Sequence, residues 1–178
     1  MLLSYYELHE LIKSGVIDAD PENVNGASID LTLADKVLIE GMPSGNFVSL
    51  REKQTPNMRE LIIPDSGFAL FPGDFALAST RELFNLPNDI AAEFKLKSSV
   101  ARAGLNHCLA GFADPGWNNA RLTLELKNEL KNHTLLLKTG MKIGQMIFYR
   151  VNPVPDQHSY AAKGRYNNTT TVAASKGV

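Results

Sequence analysis

The chain has 178 residues, of which 44% are hydrophobic and 21% are charged, and its formal net charge is −1. This length is enough for one domain with a core of its own. The near-neutral charge argues against a protein that lies on nucleic acid or on an anionic membrane, because such proteins usually have a clustered excess of basic residues. A small anionic ligand needs only a few local cations and is not excluded.

The sequence also limits the compartment. No stretch has the pattern of a transmembrane helix or of a signal peptide. The single cysteine, Cys108, cannot form an internal disulfide, which is typical of a reducing environment. We therefore expect a cytoplasmic protein.

The first predicted element is a helix that begins at Ser4. Ser4 and Glu7 form a capping box, Leu8 and Leu11 lie on one apolar stripe, and Gly15 ends the helix.

After this helix the hydrophobic pattern changes to short alternating runs separated by turn signals. Strands at such intervals predict an all-β sandwich or barrel rather than βαβ units. The predicted strands are 28–39, 46–50, 60–63, 68–80, 90–97, 120–126, 133–138 and 143–151.

The chain divides into one β domain, residues 1–155, and a C-terminal arm, residues 156–178. The arm is polar and rich in hydroxyl groups, and it lacks a core pattern. We expect a flexible arm, which either acts as a lid or is simply a frayed terminus.

The stretch KSSVARAGL, residues 97–105, predicts a short helix near 97–104. On a helix, Ser98 and Arg102 lie four residues apart and so share a face. Lys97, Ser98 and Ser99 at the helix start would offer an ammonium group, hydroxyl groups and free N–H groups to an anion. The alternative is a capped connecting helix with a solvated arginine.

The stretch ARLTLEL, residues 120–126, predicts a strand with Leu122, Leu124 and Leu126 on one face. Thr123 and Glu125 then share the other face. If that face lines a closed pocket, Glu125 is a candidate for proton transfer, with a pKa that burial raises. If the face is solvated, the carboxylate has no such role.

Zinc chemistry is not predicted. His9, His107, His133 and His158 are scattered without ligand spacing, and a zinc deaminase would carry an H-x-E and a P-C-x-x-C motif. His107 and Cys108 are adjacent, but neighbouring residues on an extended chain point apart, which argues against a Cys/His nucleophile.

Several motifs in order resemble the dCTP deaminase branch of the dUTPase-like superfamily. They are KSSVARAGL (97–105), LAGFADPGW (109–117), LTLEL (122–126) and GMKIGQ (140–145), with further similarity over 25–39 and 68–94. Together these segments extend over most of the chain.

The resemblance implies a distorted jelly-roll or β-barrel, called a β-clip, assembled as a homotrimer with active sites at subunit boundaries. It implies hydrolytic deamination of dCTP to dUTP and ammonia without zinc, with Mg²⁺ bound through the triphosphate. It also implies dTTP as an inhibitor to be considered.

By motif, the resemblance assigns catalysis to Glu125 as general acid/base and to Ser98 and Arg102, which hold the attacking water and polarise the base. It assigns the 3′-hydroxyl to Asp114, the sugar to Trp117 and a backbone contact with the base to Ala110. The matched triphosphate contacts are Lys97, Ser99 and Gln145, and the closing arm contributes Tyr160 and Arg165.

The sequence departs from the family pattern at several points. The form LAGFAD resembles the bifunctional branch, which also cleaves the triphosphate, and Leu109 replaces a usual Thr. One residue is added after the turn, in WNNARL (117–122), which we expect to reshape the pocket rim. Thr169 in the arm is a weaker phosphate ligand than the usual Gln, and Lys97 replaces an Arg found in many members.

The leading interpretation is a dCTP deaminase that supplies dUTP for thymidylate synthesis. The alternative within the family is a bifunctional enzyme that releases dUMP and pyrophosphate. A third hypothesis is a non-catalytic nucleotide-binding regulator on the same fold, although a pure binder has no need of Glu125.

Overall fold

The computed structural model describes residues 1–43, 45 and 47–177. Three helices are present in this part of the chain: α1 (Tyr5–Lys13), α2 (Ser98–Arg102) and α3 (Tyr160–Lys163). The strands are β1 (Ile17–Asp18), β2 (Ile29–Glu40), β3 (Met58–Ile62), β4 (Phe68–Leu70), β5 (Phe75–Thr80), β6 (Leu83–Asn85), β7 (Ile90–Leu96), β8 (Leu105–Asn106), β9 (Phe112–Ala113), β10 (Asn118–Ala120), β11 (Thr123–Asn128), β12 (Leu135–Leu137) and β13 (Lys142–Arg150).

Helix α1 begins as the capping box predicts. The backbone N–H and the hydroxyl of Ser4 both donate to the Glu7 carboxylate, at 2.9 and 2.7 Å. Leu8 and Leu11 are buried, so the apolar stripe closes one end of the core. The chain leaves the helix through Gly15, whose φ of 75° suits a glycine.

All strand pairs are antiparallel. The largest sheet has the order β8-β11-β5-β2-β13-β7-β9, with β3 paired to β2. Smaller sheets, β1-β6-β10 and β12-β4, complete the curled β structure. The predicted all-β class is therefore confirmed, and short helices lie at both predicted places.

Most predicted strands form, some of them in two pieces. The run 68–80 divides into β4 and β5 at the Pro72-Gly73-Asp74 turn, and the run 120–126 divides between β10 and β11. The prediction of a strand over 46–50 is wrong for residues 47–50, because Phe47 and Leu50 are exposed on a loop. Asn46 lies outside the described residues.

The core lies between these sheets and is made of aliphatic and aromatic side chains. Phe84, Phe148 and Leu124 are fully buried, and the Phe84 ring stacks on Trp117 with centroids 5.3 Å apart. This packing holds the β6-β10 side of the molecule against β11, which carries the candidate carboxylate.

The C-terminal arm packs on the domain in this structure. It passes through a 3₁₀ turn (Asp156–His158) and α3, and then runs along the sheet. Val172 is buried against Leu38 and Leu77, so the arm does contribute one side chain to a small apolar cluster. That the arm opens remains a prediction.

No helix in the described part of the chain is both long and apolar enough to cross a membrane.

Candidate active site

A cavity of about 440 Å³ lies between β11, the β9–β10 turn and the arm. Aromatic and small apolar side chains form most of its wall. Four of the predicted site residues line it, namely Ala110, Trp117, Glu125 and Tyr160. The arm closes one side with Tyr166 and Thr169.

Glu125 is the carboxylate of this cavity. Its neighbours Leu124 and Leu126 are buried on the opposite face of β11, as the alternation predicts. Burial raises the pKa of Glu125 from 4.5 to about 7, an effect only partly offset by a backbone hydrogen bond. Among the described residues, the buried Oε2 atom has no hydrogen-bond partner, so it is available to a bound molecule.

His107 lies next to this carboxyl group, with its Nε2 atom 3.5 Å from Glu125 Oε2. The imidazole is 5% exposed and stacks against Phe94 with centroids 4.4 Å apart. Burial lowers the pKa of His107 to about 4, so the ring is neutral at pH 7 and the contact is not an ion pair. Cys108 is exposed whereas His107 is buried, and Cys108 has a φ of 53°, so the chain is not extended here as the sequence argument assumed.

The Asp114–Trp117 turn packs against the arm and reaches the cavity wall through Trp117. Trp117 N donates to Asp114 O at 3.2 Å, and Gly116 has a φ of 88°. A Cβ at Gly116 would lie 3.0 Å from the backbone nitrogen of Ala161, so the turn needs glycine where the arm passes. Asp114, the first residue of the turn, is exposed and does not line the cavity.

Trp117 belongs both to the core and to the cavity wall. It is 5% exposed and belongs to the core, yet it also lines the cavity. Its Nε1 donates to the carbonyl of Tyr166 at 3.3 Å, which satisfies the indole and ties the arm to the pocket.

The second group of predicted residues lies elsewhere on the subunit. In the described chain, neither Ser98 nor Arg102 lines the cavity, and both are exposed on α2 together with Ser99. The structure therefore does not bring Ser98 and Arg102 to Glu125 within one chain.

Lys97 and Gln145 belong to this second surface. The Lys97 ammonium group contacts Asp30 Oδ1 at 2.7 Å, and Gln145 pairs with Asp30 across β13 and β2. Lys142 approaches the other carboxylate oxygen of Asp30 at 3.3 Å. Two ammonium groups share one carboxylate, so the local charge is positive.

Asp30, which contacts both lysines, is buried: the residue is only 4% exposed. Burial by itself raises the pKa of its carboxyl, but hydrogen bonds from Lys97 and Asn25 outweigh that effect and leave the pKa below its ordinary value. Asp30 therefore stays ionised, and it fixes where the ammonium group of Lys97 lies.

Arg165, predicted to close over a nucleotide, is turned toward the chain end. Its NH1 atom donates to the carbonyl of Gly177 at 2.7 Å. Its neighbour Tyr166 lines the cavity instead.

The sequence analysis did not assign several residues to the cavity, although it named Thr169 as a weaker phosphate ligand of the arm. His107, Arg121, Tyr166 and Thr169 all contact it or its carboxyl group. The added residue in WNNARL was the one available signal for Arg121. Tyr166 and Thr169 could not be placed, because an arm without a hydrophobic pattern has no predictable register.

Within residues 1–43, 45 and 47–177, no cluster of three or more His, Cys, Asp or Glu side chains could hold a metal ion.

Comparison with solved structures shows the same fold in known enzymes. A 2′-deoxycytidine 5′-triphosphate deaminase from Agrobacterium tumefaciens superposes with a TM-score of 0.64 at 21% identity, over 85% of this chain and 48% of that chain. The chain thus spans about half of the Agrobacterium protein. A dUTPase from Streptococcus mutans superposes with a TM-score of 0.50 at 15% identity, over 77% of this chain and 92% of that chain.

Sequence comparison finds closer relatives. The protein of Mycobacterium tuberculosis named "dCTP deaminase, dUMP-forming" is 38% identical over 91% of this chain and 86% of its own length. The protein of the same name from Beutenbergia cavernae is 36% identical over 99% of this chain and 94% of its own length. A family model described as dCTP deaminase-like matches residues 2–151. On this similarity, which includes the strand of Glu125 and the helix of Ser98, the chain belongs to the dCTP deaminase-like family.

Proposed function

We propose that the protein is a dCTP deaminase of the dUMP-forming kind, which converts dCTP to dUMP, ammonia and pyrophosphate. The observation that carries the proposal is the half-buried carboxyl of Glu125, with a pKa of about 7. It lies in a cavity of about 440 Å³ that is lined mainly by apolar and aromatic side chains. The names of the relatives favour the bifunctional alternative over the leading interpretation of the sequence, release of dUTP.

In this proposal Glu125 is the general acid/base. Its carboxylate accepts a proton from water as the water oxygen bonds to C4 of cytosine. Glu125 passes this proton to the ring nitrogen N3, which leaves a tetrahedral carbon with a hydroxyl group at C4. It then takes the hydroxyl proton and passes it to the amino group, so the C4–N4 bond breaks, a carbonyl forms and ammonia departs. A pKa near the working pH suits both directions of proton transfer. Because the neighbouring His107 is neutral, it does not stabilise the carboxylate form of Glu125, and the carboxylate therefore remains a good proton acceptor.

In this proposal Ser98 and Arg102 reach the site of Glu125 from a neighbouring subunit. Both are exposed on α2 and are separate from the cavity of their own chain. A homotrimer with sites at subunit boundaries would join the two half-sites, because a cyclic assembly places one surface of each chain against a different surface of the next. The hydroxyl and guanidinium groups then position the water and polarise the base.

The basic surface around Lys97 receives the triphosphate, together with Ser99 and Gln145. Mg²⁺ enters with this substrate as the counter-ion of its phosphates. Water attack at the α-phosphorus forms a new P–O bond as the bond to pyrophosphate breaks, and the Lys97 ammonium group stabilises the charge of that leaving group, to which Mg²⁺ bound through the triphosphate would add its own positive charge. Trp117 and Asp114 contact the deoxyribose, and Ala110 contacts the base through its backbone.

Product analysis tests this function. Purified protein is incubated with dCTP and Mg²⁺, and nucleotides, ammonia and pyrophosphate are measured over time. We expect dUMP, ammonia and pyrophosphate in equal amounts. Accumulation of dUTP alone would favour the simple deaminase, and binding of dCTP without ammonia would favour the regulator.

The Glu125→Gln variant tests the role of this carboxyl group. It keeps the shape of the side chain but cannot accept a proton. We expect ammonia release to fall by about a hundredfold to ten-thousandfold, while calorimetry shows that dCTP still binds. Retained ammonia release in this variant would remove Glu125 from its role.

A further inference from the structure

The residue added in WNNARL forms a β-bulge at the edge of the cavity. The pairing of β10 with β6 shifts register between Asn118 and Ala120. Asn119, at the shift, has a φ of 46°, a conformation that asparagine tolerates better than most residues. Bulges bend a strand and re-aim the side chains that follow.

The side chain that follows this bulge is Arg121. It lines the same cavity as Trp117 and Glu125. Its backbone N–H donates to the carbonyl of Thr169 at 2.8 Å, so its main chain is fixed against the arm. Arg121 thus lines the cavity where the arm meets β11.

Arg121 brings an uncompensated charge to this cavity. Its Nε atom is buried and has no hydrogen-bond partner in the part of the chain that the structure describes. Nor does any described carboxylate lie within 4.0 Å of its guanidinium. A buried donor on a charged group is costly unless a ligand supplies the acceptor.

Glu125 does not supply that acceptor. The two residues are four positions apart on an extended chain, which separates their Cα atoms by about 13 Å. The raised pKa of Glu125 also leaves its carboxyl partly protonated at pH 7. On the same face of the strand, Thr123 lies between them, and its hydroxyl accepts a hydrogen bond from the backbone of Ala173 in the arm, so it brings no charge that would neutralise Arg121.

We propose that Arg121 is a substrate-binding residue whose guanidinium contacts the phosphate chain of the nucleotide, beneath the arm. The proposal rests on the function proposed above, because it takes the ligand to be a nucleotide. The phosphates are the anionic part of such a ligand, whereas the base and the deoxyribose are neutral and would not compensate a guanidinium. A charged fork also matches phosphate oxygens in geometry.

Binding measurements in the Glu125→Gln background test this proposal, since that protein is not expected to consume its ligand. Arg121→Gln and Arg121→Lys are added separately, and Arg59→Gln, an exposed arginine on β3, is the matched control. Calorimetry with Mg²⁺ measures the dissociation constants of dCTP, dCMP and deoxycytidine. Thermal melting and light scattering confirm that each variant keeps its fold and assembly.

We expect Arg121→Gln to weaken dCTP binding by roughly tenfold to a hundredfold, the usual loss for one charged hydrogen bond. Arg121→Lys should recover part of it, and Arg59→Gln should have no effect. Deoxycytidine should bind equally well to parent and Arg121→Gln. A loss shared by dCMP assigns the contact to the phosphate next to the sugar, and a loss confined to dCTP assigns it to the outer phosphates.

Ionic strength gives a second readout that does not need deoxycytidine. Salt should weaken dCTP binding less in Arg121→Gln than in the parent, because one charge contact is gone. Unchanged dCTP binding, or an equal loss with deoxycytidine, overturns the role of Arg121. If the parent itself fails to bind dCTP, the proposed function fails instead, so the two failures are distinguishable.

Discussion

Glu125 and His107 show how burial alone can set the chemistry of two neighbouring side chains. Their reactive atoms are 3.5 Å apart, a distance at which an ion pair would form in water-exposed residues. Burial instead moves the two pKa values in opposite directions, to about 7 for the carboxyl and about 4 for the imidazole. Between these values the pair holds one proton, and that proton lies on Glu125.

This proton predicts the pH dependence of the reaction. The carboxylate must be ionised to accept a proton from water, so activity is lost as pH falls through the pKa of the folded protein. We expect the acidic limb of kcat/KM for ammonia release to have its midpoint near pH 7. A pH–rate profile measured with saturating Mg²⁺ checks it.

An acidic limb centred on the ordinary pKa of glutamate would contradict this prediction. A midpoint near 4.5 would mean that Glu125 is solvated in the working enzyme or is not the base. Glu129→Gln is a suitable control, because Glu129 is exposed on the same edge of the sheet and should leave the midpoint unchanged.

Residue by residue, the site was predictable where pattern determines orientation. Alternation along β11 is enough to predict that Glu125 lies on the face opposite the leucines. His107 was not predictable, because its contact with Glu125 depends on the pairing of β8 with β11. Arg121 was hidden for a related reason, since the sequence indicated an extra residue but not which side chain the bulge would redirect.

At the level of elements, the bulge at Asn119 and the arm form a small latch, defined by residues 117–121 and 166–169. Asn119 Nδ2 donates to Asn168 Oδ1 at 2.8 Å, and Asn118 N donates to Asn167 Oδ1 at 3.1 Å. Asn168 N in turn donates to the carbonyl of Asn118. Both Asn119 and Asn168 have positive φ angles, so the latch uses asparagines that tolerate this conformation.

Asn119→Gly should loosen this latch. Glycine accepts the positive φ but cannot bond Asn168, so it removes one hydrogen bond without backbone strain. The loss of about 1 kcal/mol should open the arm several-fold more often. We expect faster amide exchange over residues 165–177 and a several-fold higher KM for dCTP, with kcat changed little.

Asn132→Gly, in an exposed loop away from the latch, is the matched control. Equal exchange rates over the arm in Asn119→Gly and the parent protein would show that Asn119 does not hold the arm closed.

Sequence patterns fail for elements that tertiary contacts create. Strands β1, β8 and β9 have two residues each and are defined by their partners, so no local period announces them. The run beginning at Phe47 has an apolar composition but borders no core, and it stays a loop. The long strand β2 was predictable, because its buried residues continue through twelve positions.

In the whole molecule, the predicted site residues divide between two surfaces. Glu125, Trp117 and Tyr160 line the cavity, and Ser98 and Arg102 lie on α2 outside it. The motifs revealed both groups, but no sequence pattern states which of them meet within a chain and which meet across a boundary.

Subunit complementation tests the proposal that Glu125 and Arg102 meet in a site shared by two chains of a homotrimer. Glu125→Gln lacks the base, and Arg102→Ala lacks the guanidinium, so each homotrimer should be inactive. In trimers refolded from an equal mixture, a site is complete when one chain supplies Glu125 and the next supplies Arg102. Random assembly gives about a quarter of such sites, and we expect about a quarter of the parental ammonia release.

Mixing the two variants without unfolding provides the control, because preformed trimers should stay inactive until subunits exchange. If the refolded mixture is no more active than its components, the two groups do not act in one shared site.

Strand β2 connects two surfaces of the subunit. Its twelve residues extend for about 40 Å, with Asp30 and its lysines near one end and Leu38 beneath Val172 of the arm near the other. In the proposed function, the phosphate-binding surface and the contact that holds the arm are therefore two parts of the same strand, and we expect a substitution that distorts β2 to affect both. If Glu125 of one chain meets Ser98 and Arg102 of the next, as proposed, a substitution at the contact between chains should abolish activity even when each chain folds correctly.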